Sequence, residues 1–132
     1  MPIKYQKWIT RADLQANPDQ YYVFGDNLQR KGLGGQAKAM RNEPNSIGIV
    51  TKLAPNNYPI SFLSDNIDDT VLKVIEDDLN LVEAFLKEDH TIVWPEDGIG
   101  TGLSKLPTKA PKIWDAMELI RFSFEKDYGV VS

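Results

Sequence analysis

Short apolar runs alternate along the chain with one long amphipathic stretch. Tyr21-Tyr22-Val23-Phe24, Ile47-Gly48-Ile49-Val50 and Thr91-Ile92-Val93-Trp94 are compact and rich in β-branched or aromatic residues, which predicts buried strands. Ile3, Tyr5, Trp8 and Ile9 stand among lysines, the pattern of an edge strand over residues 3–9. Thr10 is placed to cap a short helix through Leu14, with Asn17-Pro18-Asp19 as its breaker. From residue 66 to 89, Val71, Leu72, Ile75, Leu79, Val82 and Leu86 recur at steps of three and four with acids between them. That periodicity predicts a helix lying on a sheet, its acids forming a solvated face, with Ser64 or Asp65 as its cap. Ile113, Met117, Leu119 and Ile120 predict another helix from Pro111 to Phe122, and Tyr128 to Val131 a last short strand. Strands alternating with helices predict an α/β sandwich with a largely parallel sheet.

Two glycine-rich segments interrupt this pattern at corresponding places. After Tyr21–Phe24 come Gly25-Asp26-Asn27, a basic run at Arg30-Lys31, and Gly32-Leu33-Gly34-Gly35, before a short helix predicted over Gln36-Ala37-Lys38-Ala39-Met40-Arg41. After Thr91–Trp94 come Pro95-Glu96-Asp97 and then Gly98-Ile99-Gly100-Thr101-Gly102-Leu103. A strand that ends in a glycine-rich turn before a helix lets bare backbone N–H groups face an anion. Lys52 also follows a predicted strand. In parallel α/β sheets ligands sit beyond the strand carboxyl ends, so both loops and Lys52 are expected around a single cleft.

Composition narrows the chemistry. The chain has 132 residues, about one domain, and 42% of them are hydrophobic, enough for a core. It has no cysteine and one histidine, His90, which removes thiolate nucleophiles, disulfides and multi-histidine metal sites. No metal or cofactor is expected. A net charge of −4 argues against broad nucleic-acid binding, though not against one modified nucleotide held in a pocket. No apolar run is long enough to span a membrane and no secretory leader is visible, so a cytoplasmic protein is expected. His90 is expected to face solvent, and Trp8, Trp94 and Trp114 to lie in the core. The spacing Gly98-x-Gly100-x-Gly102 is not the dinucleotide fingerprint, and the acid at the distance that fingerprint requires, Glu118, falls in a helical pattern. The P-loop lysine motif is absent. Two separate glycine loops suit a ligand with two phosphates, such as a nucleoside diphosphate sugar.

These residues resemble the macrodomains, the ADP-ribose-binding α/β/α modules. Gly32-Leu33-Gly34-Gly35-Gln36-Ala37 is similar to the family's first ligand loop and helix start, and residues 95–106 to its second loop. Ile49-Val50-Thr51-Lys52 resembles a strand ending in Thr-Lys in one branch, which holds the glycohydrolase that removes ADP-ribose from acidic side chains and the antitoxin that strips it from DNA. Order and approximate spacing agree over residues 10–120. The resemblance implies a three-layer α/β/α macrodomain fold with a mixed, largely parallel sheet, and ADP-ribose or an ADP-ribosylated protein or nucleic acid as partner. It implies ligand contacts from Gly32, Gly34, Gly35, Gln36, Ala37, Gly98, Ile99, Gly100, Thr101, Gly102 and Leu103. Asp13-Leu14 resembles the family's early acid–hydrophobic pair, whose acid accepts from the adenine amino group. Late aromatics stack on adenine in the family, so Phe122 and Phe124 are candidates beside a plain packing role.

In that branch a lysine attacks the distal ribose, which here is Lys52. An amine is nucleophilic only when neutral, so Lys52 requires a lowered pKa, from burial or from neighbouring cations such as Arg30 and Lys31. The branch's carboxylate after the second-loop leucine is replaced by Ser104, which cannot serve as a general base; Asp26 is the candidate substitute. Glu96 and Asp97 beside a phosphate loop require that they point away or that Lys31 or Lys105 offset them. Hydrolysis of an ADP-ribosyl linkage, binding of ADP-ribose without turnover, and a fold relative with another phosphate ligand all remain open at this point.

Overall fold

The computed structural model describes residues 2–131. Four strands, β1 (Ile3–Gln6), β2 (Tyr21–Asn27), β3 (Ser46–Lys52) and β4 (Ile92–Pro95), form one sheet in the order β1-β4-β2-β3. Every pairing between them is parallel, so the sheet of named strands is not mixed. The helices are α1 (Arg11–Ala16), α2 (Ala37–Met40), α3 (Asp69–Lys87), α4 (Leu106–Lys109) and α5 (Pro111–Tyr128), with a 3-10 turn at Pro59–Ser61. Among the described residues no helix is long and apolar enough to cross a membrane.

Period-two alternation assigns the strand side chains to opposite sides. Tyr22, Phe24 and Val93 join Leu14 of α1 and Ala37 and Met40 of α2 in a small cluster. Val23, Ile92 and Trp94 join α3 and α5 in a larger one. Helices therefore pack against both faces of the sheet. β2 is followed by its neighbour β3, and α3 then carries the chain back to β4 on the other side of β2. The direction of winding reverses between β2 and β4, and their carboxyl ends flank the crevice that such a reversal opens.

Several local expectations are corrected. The first strand stops at Gln6, and Trp8 stands 80% exposed rather than in the core. Trp94 is buried and Trp114 packs against the large cluster. α3 buries the expected Val71, Ile75, Leu79, Val82 and Leu86, but its cap is Asp68, whose carboxylate accepts from Thr70 N–H at 2.8 Å. Asp65 instead accepts from Lys112 N–H at 3.1 Å and Ile113 N–H at 3.2 Å, near the start of α5, where helical donors lack intrahelical partners. α5 runs on to Tyr128, and the predicted last strand shrinks to one bridge between Val130 and Ile3. Leu119 is exposed on α5 while Phe124 is buried. His90 is half-buried, its ring edge-on to Tyr21 and Phe85.

Candidate functional site

The last turn of β2 does more than end a strand. Asp26 stays in the ladder, and its carboxylate is buried on the side of the sheet toward α2. Arg41, just past α2, makes a bidentate ion pair with it, with Nη1 3.3 Å from Oδ2 and Nη2 closing on Oδ1. Arg30 Nη1 lies 3.5 Å from the same carboxylate and donates to Gly48 O at 3.0 Å. Its Nη2 reaches Asp78 of α3 at 2.7 Å, and Asp78 accepts from Val50 N–H at 2.9 Å. So Asp78 is not part of a solvated face: it satisfies an N–H of the edge strand β3 and takes the far end of the Arg30 bridge. Burial pushes its carboxyl above the usual range, against the lowering by Val50 N–H and Arg30. The same Arg41 holds the first glycine loop from beneath, donating to Gly32 O through Nε and to Lys31 O at 3.2 Å. With those carbonyls tied down, the N–H groups of residues 32–36 find no acceptor among the described residues.

The second loop is anchored differently. Leu106 N–H donates to Gly100 O at 2.8 Å and Lys105 N–H to Gly102 O at 3.1 Å, while the N–H groups of residues 99–104 again find no acceptor among the described residues. Gly98 and Gly100 take φ of +93° and +78°, a left-handed geometry that turns successive N–H groups the same way. Gln36 braces the two loops. Its side chain accepts from Gly25 N–H at 2.9 Å and donates to Gly98 O at 3.1 Å.

Both loops line one cleft of about 190 Å³ at the carboxyl ends of β2 and β4. Gly32, Gly34, Gly35, Gln36 and Ala37 line it from one side, Gly100, Gly102, Leu103 and Ser104 from the other, and Asp26 and Lys52 from the sheet. Gly98, Ile99 and Thr101 do not line it: Gly98 serves the Gln36 brace, Ile99 is buried in the large cluster, and Thr101 Oγ1 donates to Asp97 O. Asp13 and Leu14 do not line it either. The Asp13 carboxylate accepts from Thr10 N–H and Gln6 Nε2 in a capping box, and Leu14 is wholly buried. Those contacts hold the Asp13 carboxyl below its usual range, the Thr10 N–H first among them. Neither Phe122 nor Phe124 is near; Phe122 is exposed under Arg121 and Phe124 lies in the core. Glu96 and Asp97 are exposed and outside this cleft, and Asp97 borders a larger, neighbouring pocket of about 580 Å³ beyond Gly35 and Gln36.

Lys52 is only 6% exposed. Its Nζ donates to Asn57 Oδ1 at 3.3 Å and sits 4.7 Å from the centre of the Phe62 ring. Among the described residues no carboxylate pairs with it. Burial lowers its pKa, and the positive charge of Lys105, rather than of Arg30 or Lys31, adds to the shift. Ser104 Oγ lies 2.7 Å from Thr51 Oγ1, and Thr51 donates its one hydroxyl proton to Asp26 O at 3.1 Å. Ser104 is therefore the donor to Thr51 and offers the cleft lone pairs. The residues that sequence reasoning missed are Arg41, Thr51 and Asn27, whose Nδ2 donates to Lys31 O at 2.6 Å. Arg41 reads locally as the end of a short helix, and nothing in that pattern ties it to an acid on a strand.

No curated protein and no solved structure matches the chain. A family described as a family of unknown function, DUF7831, matches residues 4–119, which span both glycine loops, Lys52 and all four strands to within one residue. The chain belongs to the DUF7831 family.

Proposed function

We propose that this chain binds ADP-ribose and hydrolyses an ADP-ribosyl linkage on a modified protein or nucleic acid, with Lys52 as the reactive group, on a three-layer fold of macrodomain type. One observation carries the reading: two loops of unpaired backbone N–H groups and a buried, carboxylate-free lysine line the same cleft. Converging N–H groups suit a pyrophosphate, whose oxygens accept many donors at once. A lysine with a lowered pKa holds more neutral amine at a given pH, and only the neutral amine has a lone pair. In the proposed reaction Nζ bonds to the anomeric carbon of the distal ribose as the bond to the target breaks. The amine's proton goes to the departing group, and water then cleaves the C–N bond, releasing ADP-ribose and restoring the lysine.

A specific observation favours a second reading, binding without turnover. The single carboxylate in the cleft lining, Asp26, is engaged by Arg41 and Arg30, and Ser104 is a hydroxyl. Neither is a free general base. The two readings separate on release of ADP-ribose from modified protein and modified DNA, with calorimetry of free ADP-ribose beside it. Turnover that falls at least about 100-fold in Lys52→Ala supports the enzyme, a loss typical of removing a covalent nucleophile. Equal turnover in that variant removes the lysine mechanism. Binding without release by the parent leaves the second reading, and no binding at millimolar ligand removes both.

A further inference from the structure

Beside the cleft, beyond Lys52, three ammonium groups converge on one aromatic ring. The Nζ atoms of Lys52, Lys109 and Lys105 lie 4.7, 5.3 and 5.9 Å from the centre of Phe62. Phe62 is fixed there by a bridge to Lys52 itself. Lys105 sits at the entry to α4 with φ of +49°, a left-handed conformation that costs a non-glycine residue about 1 kcal/mol, and Lys109 follows one turn later on the same face. Among the described residues none of the three lysines has a carboxylate partner. Like charges gathered this way repel, and the ring offsets only part of that, about 0.5–1 kcal/mol per cation at exposed positions. The arrangement lacks a counter-charge, and a tetrahedral oxyanion presents several acceptors to several ammonium groups at once.

We infer that Lys105 and Lys109, beside Lys52, form a second anion site, distinct from the glycine loops, that takes a phosphate group. Its chemistry is that of a phosphate mono- or diester. Lys105 and Lys109 are exposed, so the site is open to a group carried on a larger molecule. The existence of the site does not depend on ADP-ribose chemistry; its use to hold the target beside Lys52 does rest on the reading proposed above.

The test follows backbone amide shifts of the full chain during titration, at constant ionic strength, with inorganic phosphate in one arm and pentathymidylate in the other. The amides of Phe62, Lys105, Leu106, Thr108 and Lys109 should move with at least one probe. The Lys105→Gln/Lys109→Gln variant, which changes exposed side chains and should melt with the parent, should lose about tenfold or more in affinity at those amides, as expected for two charge-assisted contacts. Response to phosphate alone marks a free-phosphate site; tighter response to the strand marks a phosphodiester site. No movement of those amides with either probe, or unchanged affinity in the double variant, overturns the inference. ADP-ribose titrated separately reads the cleft through residues 32–36 and 100–104. Silence there, with phosphate still moving residues 105–109, defeats the ADP-ribose reading and leaves the second site standing.

Discussion

In the loop after β4, a Cβ added at Gly100 would stand 3.0 Å from Leu106 and 3.1 Å from Thr51 Cγ2, with φ already at +78°. In the loop after β2, Gly35 also takes a positive φ, +56°, but its added Cβ would meet nothing closer than Leu103 Cδ1 at 3.6 Å, and the tighter contact at Gly32, 3.1 Å from Pro55 Cβ, is with another loop rather than the core. The second loop is thus set into the core, where glycine is a packing requirement. The first lies on the surface and is held from below by Arg41 and from the side by Gln36. Two segments that look alike in sequence reach the same cleft by different physics. Both need left-handed glycines, but one is wedged against the core and the other is tethered by charge and hydrogen bonds.

The largest effect should come from breaking the steric loop. Gly100→Ala combines overpacking, about 1–3 kcal/mol, with a left-handed penalty of about 1–2 kcal/mol. Urea unfolding should report a loss of about 3 kcal/mol. Gly102, two residues on, has nothing within 4 Å of its would-be Cβ and no positive φ. Gly102→Ala should stay within about 0.5 kcal/mol of the parent. Gly102→Glu should leave the melting transition in place and weaken ADP-ribose binding at least about tenfold, by placing charge and bulk in the cleft. A Gly100→Ala protein as stable as Gly102→Ala would erase the distinction between the loops.

The tethered loop should fail next, and in a different way. Arg41→Met removes the main partner of a buried carboxylate and frees the Gly32 carbonyl, leaving the Lys31 carbonyl to Asn27 Nδ2 alone. Breaking a buried pair from one side costs about 3–5 kcal/mol, and a loss at or just below the lower end applies because Arg30 remains 3.5 Å from Asp26. A loss of about 2–3 kcal/mol is expected, with lower backbone order parameters confined to residues 30–36. Asp26→Asn added to Arg41→Met should recover part of the stability without restoring order in that loop. Unchanged order parameters there would show that Arg41 is not what holds it.

This contrast also explains what was readable in the chain and what was not. Strands and the long helix follow from periodicity, because Val71, Ile75, Leu79 and Val82 must share one face to be buried. Both loops were visible as glycines after strands, and the cleft followed from the parallel topology. The charge network was not visible. Asp26 and Arg30 lie four residues apart, but Arg41 and Asp78 come from distant segments, and ion pairs between such segments leave no local spacing to find. Trp8 misled because its composition argues for burial while its position after the shortened β1 leaves it outside. Asp13 had two roles open to it, and Thr10 three residues before it is the capping-box spacing that the structure uses.

The smallest effect lies where the two loops meet the sheet, at Lys52. Its folded pKa is lowered, first by burial and then by Lys105, so the folded chain releases this proton more readily than the unfolded chain. Below the lowered value both states carry the charge, and the folded state bears the full cost of burying it. Between that value and the ordinary lysine value the unfolded chain binds more protons, so this residue's contribution to stability rises with pH. Lys52→Met should therefore be no less stable than the parent at neutral pH, and its advantage should shrink as the pH climbs through that window. A diphosphate held between the loops favours the charged amine and raises its pKa again. Binding of ADP-ribose within the window should then take up protons, read as a dependence of the calorimetric heat on the ionisation enthalpy of the buffer. Lys52→Met should abolish that uptake while the loops still bind. Uptake that survives in Lys52→Met would assign the proton to another group, and with it the claim that both loops deliver their ligand to this amine would fall.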